Sequence, residues 1–321
     1  MKILNIHRLI LSLSAILVFV FIQSGFLVSA SAGASESEPV ADRCGPQSPC
    51  QIKGHTESDY VLSFPENWDG KKPLIPFVFF HGHGGAAQQI ARGGGLVKRL
   101  KNTDYLLIVP NGPFFNFNDR RVRGWAARKI RREERLLHPG LANRREIALT
   151  EAVLRQVKDM VPLKSEKLVI SGFSSGGSMA WYFACYSKQP VDAVIAIAGG
   201  LRRPLPQGLV MNQGQLWRTC PVGPRKLLHI HGFSDSQVPL EGRGIRAWHQ
   251  WDVHEGLSVM RKTNSCQSKP ATVNTRSPLW CRTWNDCTSG KPLRFCLHSG
   301  GHGIPKGWLK ETFNWIEQNG S

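Results

Sequence analysis

The chain has 321 residues, 41% of them hydrophobic, with a formal net charge of +18 and eight cysteines. That supply of apolar side chains suits one large α/β domain or two small ones, and excludes a chain too polar to build a core. An even cysteine count with no C-x-x-C pair speaks for disulfides and against a thiolate metal site.

The first element is a leader. Lys2 and Arg8 flank the start of an apolar run over 9–28, and small polar residues with an A-x-A site at Ala30-Ser31-Ala32 follow it. This is the layout of a secretory signal peptide over 1–32. The run is also long enough to stay as a membrane anchor. The small residues after it and the missing Lys/Arg stop-transfer cluster favour cleavage, which implies a secreted or periplasmic protein, membrane-attached only if the leader is kept. Residues 33–58 read as a Ser-, Glu- and Pro-rich tail that enters a small loop stapled at Cys44 and Cys50.

From residue 59 to 321 strand and helix patterns alternate. Short, continuous apolar runs predict strands over 59–64, 75–80, 105–109, 167–171, 192–198, 226–231 and 293–298. Runs without polar alternation belong to strands covered on both faces. Helices are predicted over 86–100, 146–160, 177–187, 244–262 and 308–318. In the second, Ile147, Leu149, Val153, Leu154 and Val157 form one buried stripe. The alternation predicts an α/β fold, a mostly parallel central sheet with helices on both faces, in one catalytic domain over 59–321.

The charge is uneven. Between Arg120 and Arg145 ten Lys/Arg stand against Glu133 and Glu134, a net +8. Such a block forms a solvated face and also attracts an anionic surface or polymer, here through Arg120, Arg121, Arg123, Arg128, Arg131 and Arg132. No groove-reading motif accompanies it, so no nucleic-acid partner is expected.

The chemistry concentrates at Gly172-Phe173-Ser174-Ser175-Gly176, a G-x-S-x-G run between a predicted strand and a predicted helix. A serine hydroxyl at neutral pH is a weak nucleophile and needs a base, and that base needs an orienting carboxylate. Asp235 follows the 226–231 strand in "HGFSDSQVP", and His302 follows the 293–298 strand in "GGHGIP". Ser174, Asp235 and His302 thus stand in the order such a site needs, each at the carboxyl end of a strand. The loop "HGHGGAA" after the 75–80 strand suits an oxyanion hole, with backbone donors at His83 and Ser175. A competing metal reading rests on two H-x-H pairs, His81/His83 and His229/His231, each with both imidazoles on one strand face. No H-E-x-x-H run accompanies them and Asp235 is the one acidic residue nearby, so neither a metal nor a cofactor is expected.

Three motifs together resemble the extracellular polyhydroxybutyrate depolymerase and feruloyl esterase group of α/β-hydrolases, related to carbohydrate esterase family one. They are H-G-x-G-G at 81–85, G-x-S-x-G-G at 172–177 with Met179, and H-G-x-x-D-x-x-V-P at 231–239 paired with G-G-H at 300–302. The resemblance implies Ser174 as nucleophile, Asp235 as orienting acid and His302 as base. Departures are Ile304-Pro305-Lys306-Gly307 after the base, where the group has W-P-G, and the basic block in place of a region that walls the substrate cleft. Within this frame the expected disulfides are Cys281–Cys296, across a hairpin centred near Thr288-Ser289, then Cys266–Cys287, Cys44–Cys50 and Cys185–Cys220.

The implied activity is a serine esterase acting on a polymer-linked or hydroxycinnamoyl ester, as in polysaccharide degradation. Trp125, Trp217, Trp248, Trp251, Trp280 and Trp284 are candidate aromatic platforms. The alternative is a catalytically retired scaffold that binds an anionic glycan or envelope surface through its arginines. Reaction with a fluorophosphonate separates the two.

Overall fold

In the computed structural model, residues 43–92, 94–125, 144–204, 220–245, 248–250, 252–276 and 278–319 are described. The leader and the residues 128, 131, 132, 217 and 251 named above lie outside them. The strands are β1 (Cys50–Ile52), β2 (His55–Ser63), β3 (Ile75–Phe80), β4 (Tyr105–Pro110), β5 (Phe114–Phe117), β6 (Arg120–Arg123), β7 (Val169–Phe173) and β8 (Ala193–Ile197). They continue as β9 (Arg202–Pro204), β10 (Lys226–Gly232), β11 (Arg243–Ile245), β12 (Trp248–Gln250), β13 (Thr272–Asn274), β14 (Trp280–Trp284) and β15 (Leu293–His298). The helices are α1 (Ala87–Arg92), α2 (Gly94–Leu100), α3 (Arg144–Met160), α4 (Ser175–Tyr186), α5 (Val253–Thr263) and α6 (Trp308–Gln318).

Ten strands form the central sheet in the order β1-β2-β4-β3-β7-β8-β10-β15-β14-β13. The six from β4 to β15 run parallel, and antiparallel strands close both edges. The continuous apolarity of the parallel strands has the expected cause. Phe77 and Phe79 of β3 point into one core and Val78 and Phe80 into the other, so each strand feeds two helical layers with alternate residues. One layer brings Val153 and Val157 of α3, Met179 and Trp181 of α4, and Leu257 and Met260 of α5. The opposite layer brings Ala87 and Ala91 of α1, Leu96 and Leu100 of α2, and Trp308 and Trp315 of α6. All described residues lie in one compact unit, Glu38–Ser321.

The seven expected strands are present, β2 beginning earlier, at His55. The helix expected over 86–100 is two helices, α1 and α2, in line with the glycine run at 93–95 and its low helix propensity. The helix expected over 244–262 starts only at Val253. Asp252 caps it, its carboxylate accepting from the amides of His254 (2.7 Å) and Glu255 (3.1 Å), and the chain before the cap pairs as β11 and β12. The four disulfides are Cys44–Cys50, Cys185–Cys220, Cys266–Cys287 and Cys281–Cys296, as the resemblance implied. Cys281 and Cys296 face each other in the β14/β15 register.

Candidate active site

Three loops at the carboxyl ends of β7, β10 and β15 meet at one rim of the sheet. Ser174 follows β7 directly and caps α4 with φ 57°, ψ −120°, a positive φ that a non-glycine residue adopts only where the surroundings enforce it. The enforcement is visible. The Ser174 amide donates to the Ile197 carbonyl (2.9 Å), and the Ser178 amide to the Ser174 carbonyl (3.0 Å). Gly176 lies so close to β3 that a Cβ there would sit 2.0 Å from the Phe80 carbonyl oxygen, which explains the second glycine of the motif.

The loops carrying Asp235 and His302 are built against each other. The Phe233 amide donates to His298 O (2.8 Å) and the Ser234 amide to Gly300 O (3.1 Å), while a Cβ on Gly232 would meet Gly301 O at 2.2 Å. This contact brings together residues far apart in the chain: His302 Nε2 lies 2.9 Å from Ser174 Oγ, and His302 Nδ1 lies 2.8 Å from Asp235 Oδ2. The other carboxylate oxygen, Oδ1, accepts from the amides of Gln237 (2.9 Å) and Val238 (2.8 Å), so the buried Asp235 keeps acceptors only for its neighbours' protons.

The loop after β3 packs against Ser174, since a Cβ on Gly82 would sit 3.5 Å from Ser174 Cβ. The amides of Gly84 and Gly85 are used on the carbonyls of Arg123 and Gly82, and that of Ser174 on Ile197. The Ser175 amide opens α4, in the first turn that lacks intrahelical acceptors. His81 scaffolds this loop. Its Nε2 accepts from the Gly112 amide (3.0 Å), its Nδ1–H donates to Gly82 O (2.7 Å), and its carbonyl accepts from the Trp125 indole (3.0 Å). Burial drives its pKa down to about 4, so the ring is a neutral structural element. Trp125, 1% exposed, is likewise structural and no platform.

The central chain segment and its relatives fit this picture. Residues 75–221 match a family model described as the alpha/beta hydrolase fold. The chain has the α/β-hydrolase fold. The chain is 25% identical over 270 residues to the probable feruloyl esterase C of Aspergillus flavus, covering 81% of this chain and 82% of that one. It is 26% identical over 266 residues to the feruloyl esterase C of Emericella nidulans, covering 80% of each. Among solved structures it superposes on the acetyl xylan esterase from Aspergillus awamori with a TM-score of 0.54 at 15% identity, covering 82% of this chain and 94% of that one, a likeness of fold. Of the two sides of the sequence resemblance, these relatives carry the feruloyl esterase side.

Two sets of residues behave otherwise than their sequence motifs suggest. Arg121 pairs with Glu57 (3.0 Å), Arg123 with Asp59 (3.4 Å), and both guanidinium groups lie 4.2 Å from the centre of the Phe114 ring. Arg123 and Asp59 are largely buried, so Arg123 belongs to the packing of the fold, while Arg121 pairs with Glu57 at the surface. The pair His229/His231 is buried in a hydrogen-bonded line that ends at the Asp235 turn. Sequence reasoning singled out His229 only as a metal ligand, His231 as that and as the first residue of the motif over 231–239, and their neighbour Trp181 not at all.

Proposed function

We propose that this α/β-hydrolase is a serine esterase working through an acyl-enzyme. Ser174 Oγ attacks the ester carbonyl while His302 Nε2 takes its proton. Asp235 holds the imidazole with Nδ1–H toward itself and stabilises the imidazolium that forms. The backbone amides of His83 and Ser175 donate to the oxyanion, a contribution of roughly 100- to 1000-fold per donor. His302 then protonates the departing alcohol, and water, deprotonated by the same nitrogen, releases the acid from Ser174. The observation that carries this reading is the single imidazole bridging Ser174 Oγ at 2.9 Å and Asp235 Oδ2 at 2.8 Å.

The ester we propose joins a hydroxycinnamoyl or similar aryl acid to a polysaccharide. The named relatives support it, and we assign the aryl group to an apolar cavity of about 510 Å³ lined by Phe233, Leu240, Trp280, Arg282, Phe295 and Leu297, which reaches the Asp235 loop through Phe233 and is lined by none of Ser174, Asp235 and His302. Phe233 belongs to the acid loop, two residues before Asp235. It is 65% exposed, as is 39% of Trp280, an arrangement suited to a planar ring. Four disulfides support export from the cytoplasm. The decisive experiment is labelling of the purified protein by a fluorophosphonate, followed by turnover of methyl ferulate, acetylated xylan, 3-hydroxybutyrate oligomers and short nitrophenyl esters. Labelling at Ser174, and loss of turnover by about 10⁴-fold or more in Ser174→Ala, are expected. Unlabelled protein without turnover leaves the retired scaffold, and a Ser174→Ala variant that still turns over refutes Ser174 as the nucleophile.

A further inference from the structure

His229 and His231 alternate on β10, so both rings enter the same core, near-coplanar and edge to edge with centres 5.2 Å apart and planes at 9°, and fully buried. Two imidazoles in an apolar layer are costly unless every ring nitrogen is paired, and here every one is. The pairing starts at a group with no choice. The Trp181 indole of α4 is a donor only, and it reaches His229 Nδ1 at 3.1 Å. That nitrogen must accept, so the His229 proton sits on Nε2 and is donated to His231 Nδ1 at 2.9 Å. The His231 proton is thereby forced onto Nε2, which donates to Val238 O at 2.7 Å and lies 3.5 Å from Asp235 Oδ2.

Val238 is also the residue whose amide holds Asp235 Oδ1. The line therefore grips the Asp235 turn at its far end. Were it reversed, His231 would aim a lone pair at a carbonyl and a carboxylate, and the turn would lose its clamp. We propose that Trp181, His229 and His231 form a direction-setting hydrogen-bond chain that positions the Asp235 carboxylate for His302. They are positioning residues, since none reaches the reacting atoms. The charged or titratable groups facing His231 are His229, Asp235, His298 and His302, and those facing His229 are His231 and His254. Burial lowers the pKa of both rings, which keeps each a one-proton link.

This inference rests on the catalytic reading of Ser174, Asp235 and His302, and the test separates the two. In full-length Trp181→Phe the core volume is nearly kept and the donor is gone. The expected result is a kcat about tenfold lower on a short nitrophenyl ester with KM within about twofold, the size of one lost buried hydrogen bond. Nitrogen NMR of the histidines should show Nε2–H tautomers at both rings in the parent and mixed tautomers in the variant. His231→Gln keeps a donor near the Nε2 position and should retain most of kcat per fluorophosphonate-titrated site, whereas His231→Leu should lose about a further tenfold. Parent-like kcat and tautomers in Trp181→Phe, or equal kcat in the Gln and Leu variants, overturn the chain as a positioning device. Those results alongside a dead Ser174→Ala leave the esterase standing, while an active Ser174→Ala removes the catalytic reading of Ser174 on which the inference rests.

Discussion

Acidification should destabilise this protein well above the pH at which its carboxylates titrate, and His81 sets the scale. The ring is 1% exposed and its pKa falls from 6.5 to about 4 by burial. Between those values the unfolded chain binds a proton that the native state refuses. Unfolding free energy therefore rises with pH across the window, and stability is lost as pH drops from 6.5 toward 4. The slope approaches 1.36 kcal/mol per pH unit, so His81 alone costs about 2 kcal/mol at pH 5 and about 3 kcal/mol at pH 4. His229 and His231, also lowered by burial, act with the same sign. Urea unfolding followed by tryptophan emission at pH 7, 6, 5 and 4 measures the slope, and His81→Gln tests its source. That variant starts less stable, having lost the Gly112 and Gly82 bonds, but its stability should fall less steeply with acid. A flat parent curve over the window, or an unchanged slope in the variant, would refute the assignment of a buried neutral ring.

Three further outcomes follow from the geometry. Gly176→Ala places a methyl group 2.0 Å from Phe80 O, and because the obstacle is backbone it should cost about 3 kcal/mol or abolish turnover by shifting Ser174; a parent-like melting temperature would contradict the packing. Asp235→Asn keeps the side-chain oxygen that accepts from Gln237 and Val238 but alters the partner of His302 Nδ1, so kcat should fall by about 10³- to 10⁴-fold with the melting temperature little changed. Trp280→Ala should raise KM for methyl ferulate by about tenfold and leave that for a nitrophenyl acetate within twofold; equal effects on both would remove the cavity as the aryl site.

The framework was legible because it rests on local rules. A strand buried on both faces writes a continuous apolar run, and β3, β4 and β8 are written that way, while β15 carries the half-buried Arg294. Once the strand ends are located, the loops carrying Ser174, Asp235 and His302 are located too, since parallel strands present their carboxyl ends on one side. Where local signals conflict, the reading slipped. One helix was expected over 244–262, yet Asp252 and Glu255 stand at the spacing of a capping box, which marks the true start at Val253. That signal was present in the sequence and was not used.

The histidines were opaque for a different reason. An H-x-H pair on a strand states that two imidazoles share a face, and nothing more. Whether they chelate or relay depends on what stands opposite, and for His229 that is the indole of Trp181, 48 residues away on a helix whose rotation about the sheet no local pattern encodes. Proton direction is less local still, since it is set at Trp181, transmitted through two rings and expressed at Val238. Residues that make the bonds of the reaction can thus be ordered along a chain by motif. Those that aim them are chosen by packing between layers, so supporting residues must be sought by following each buried donor to its acceptor until the path reaches the site.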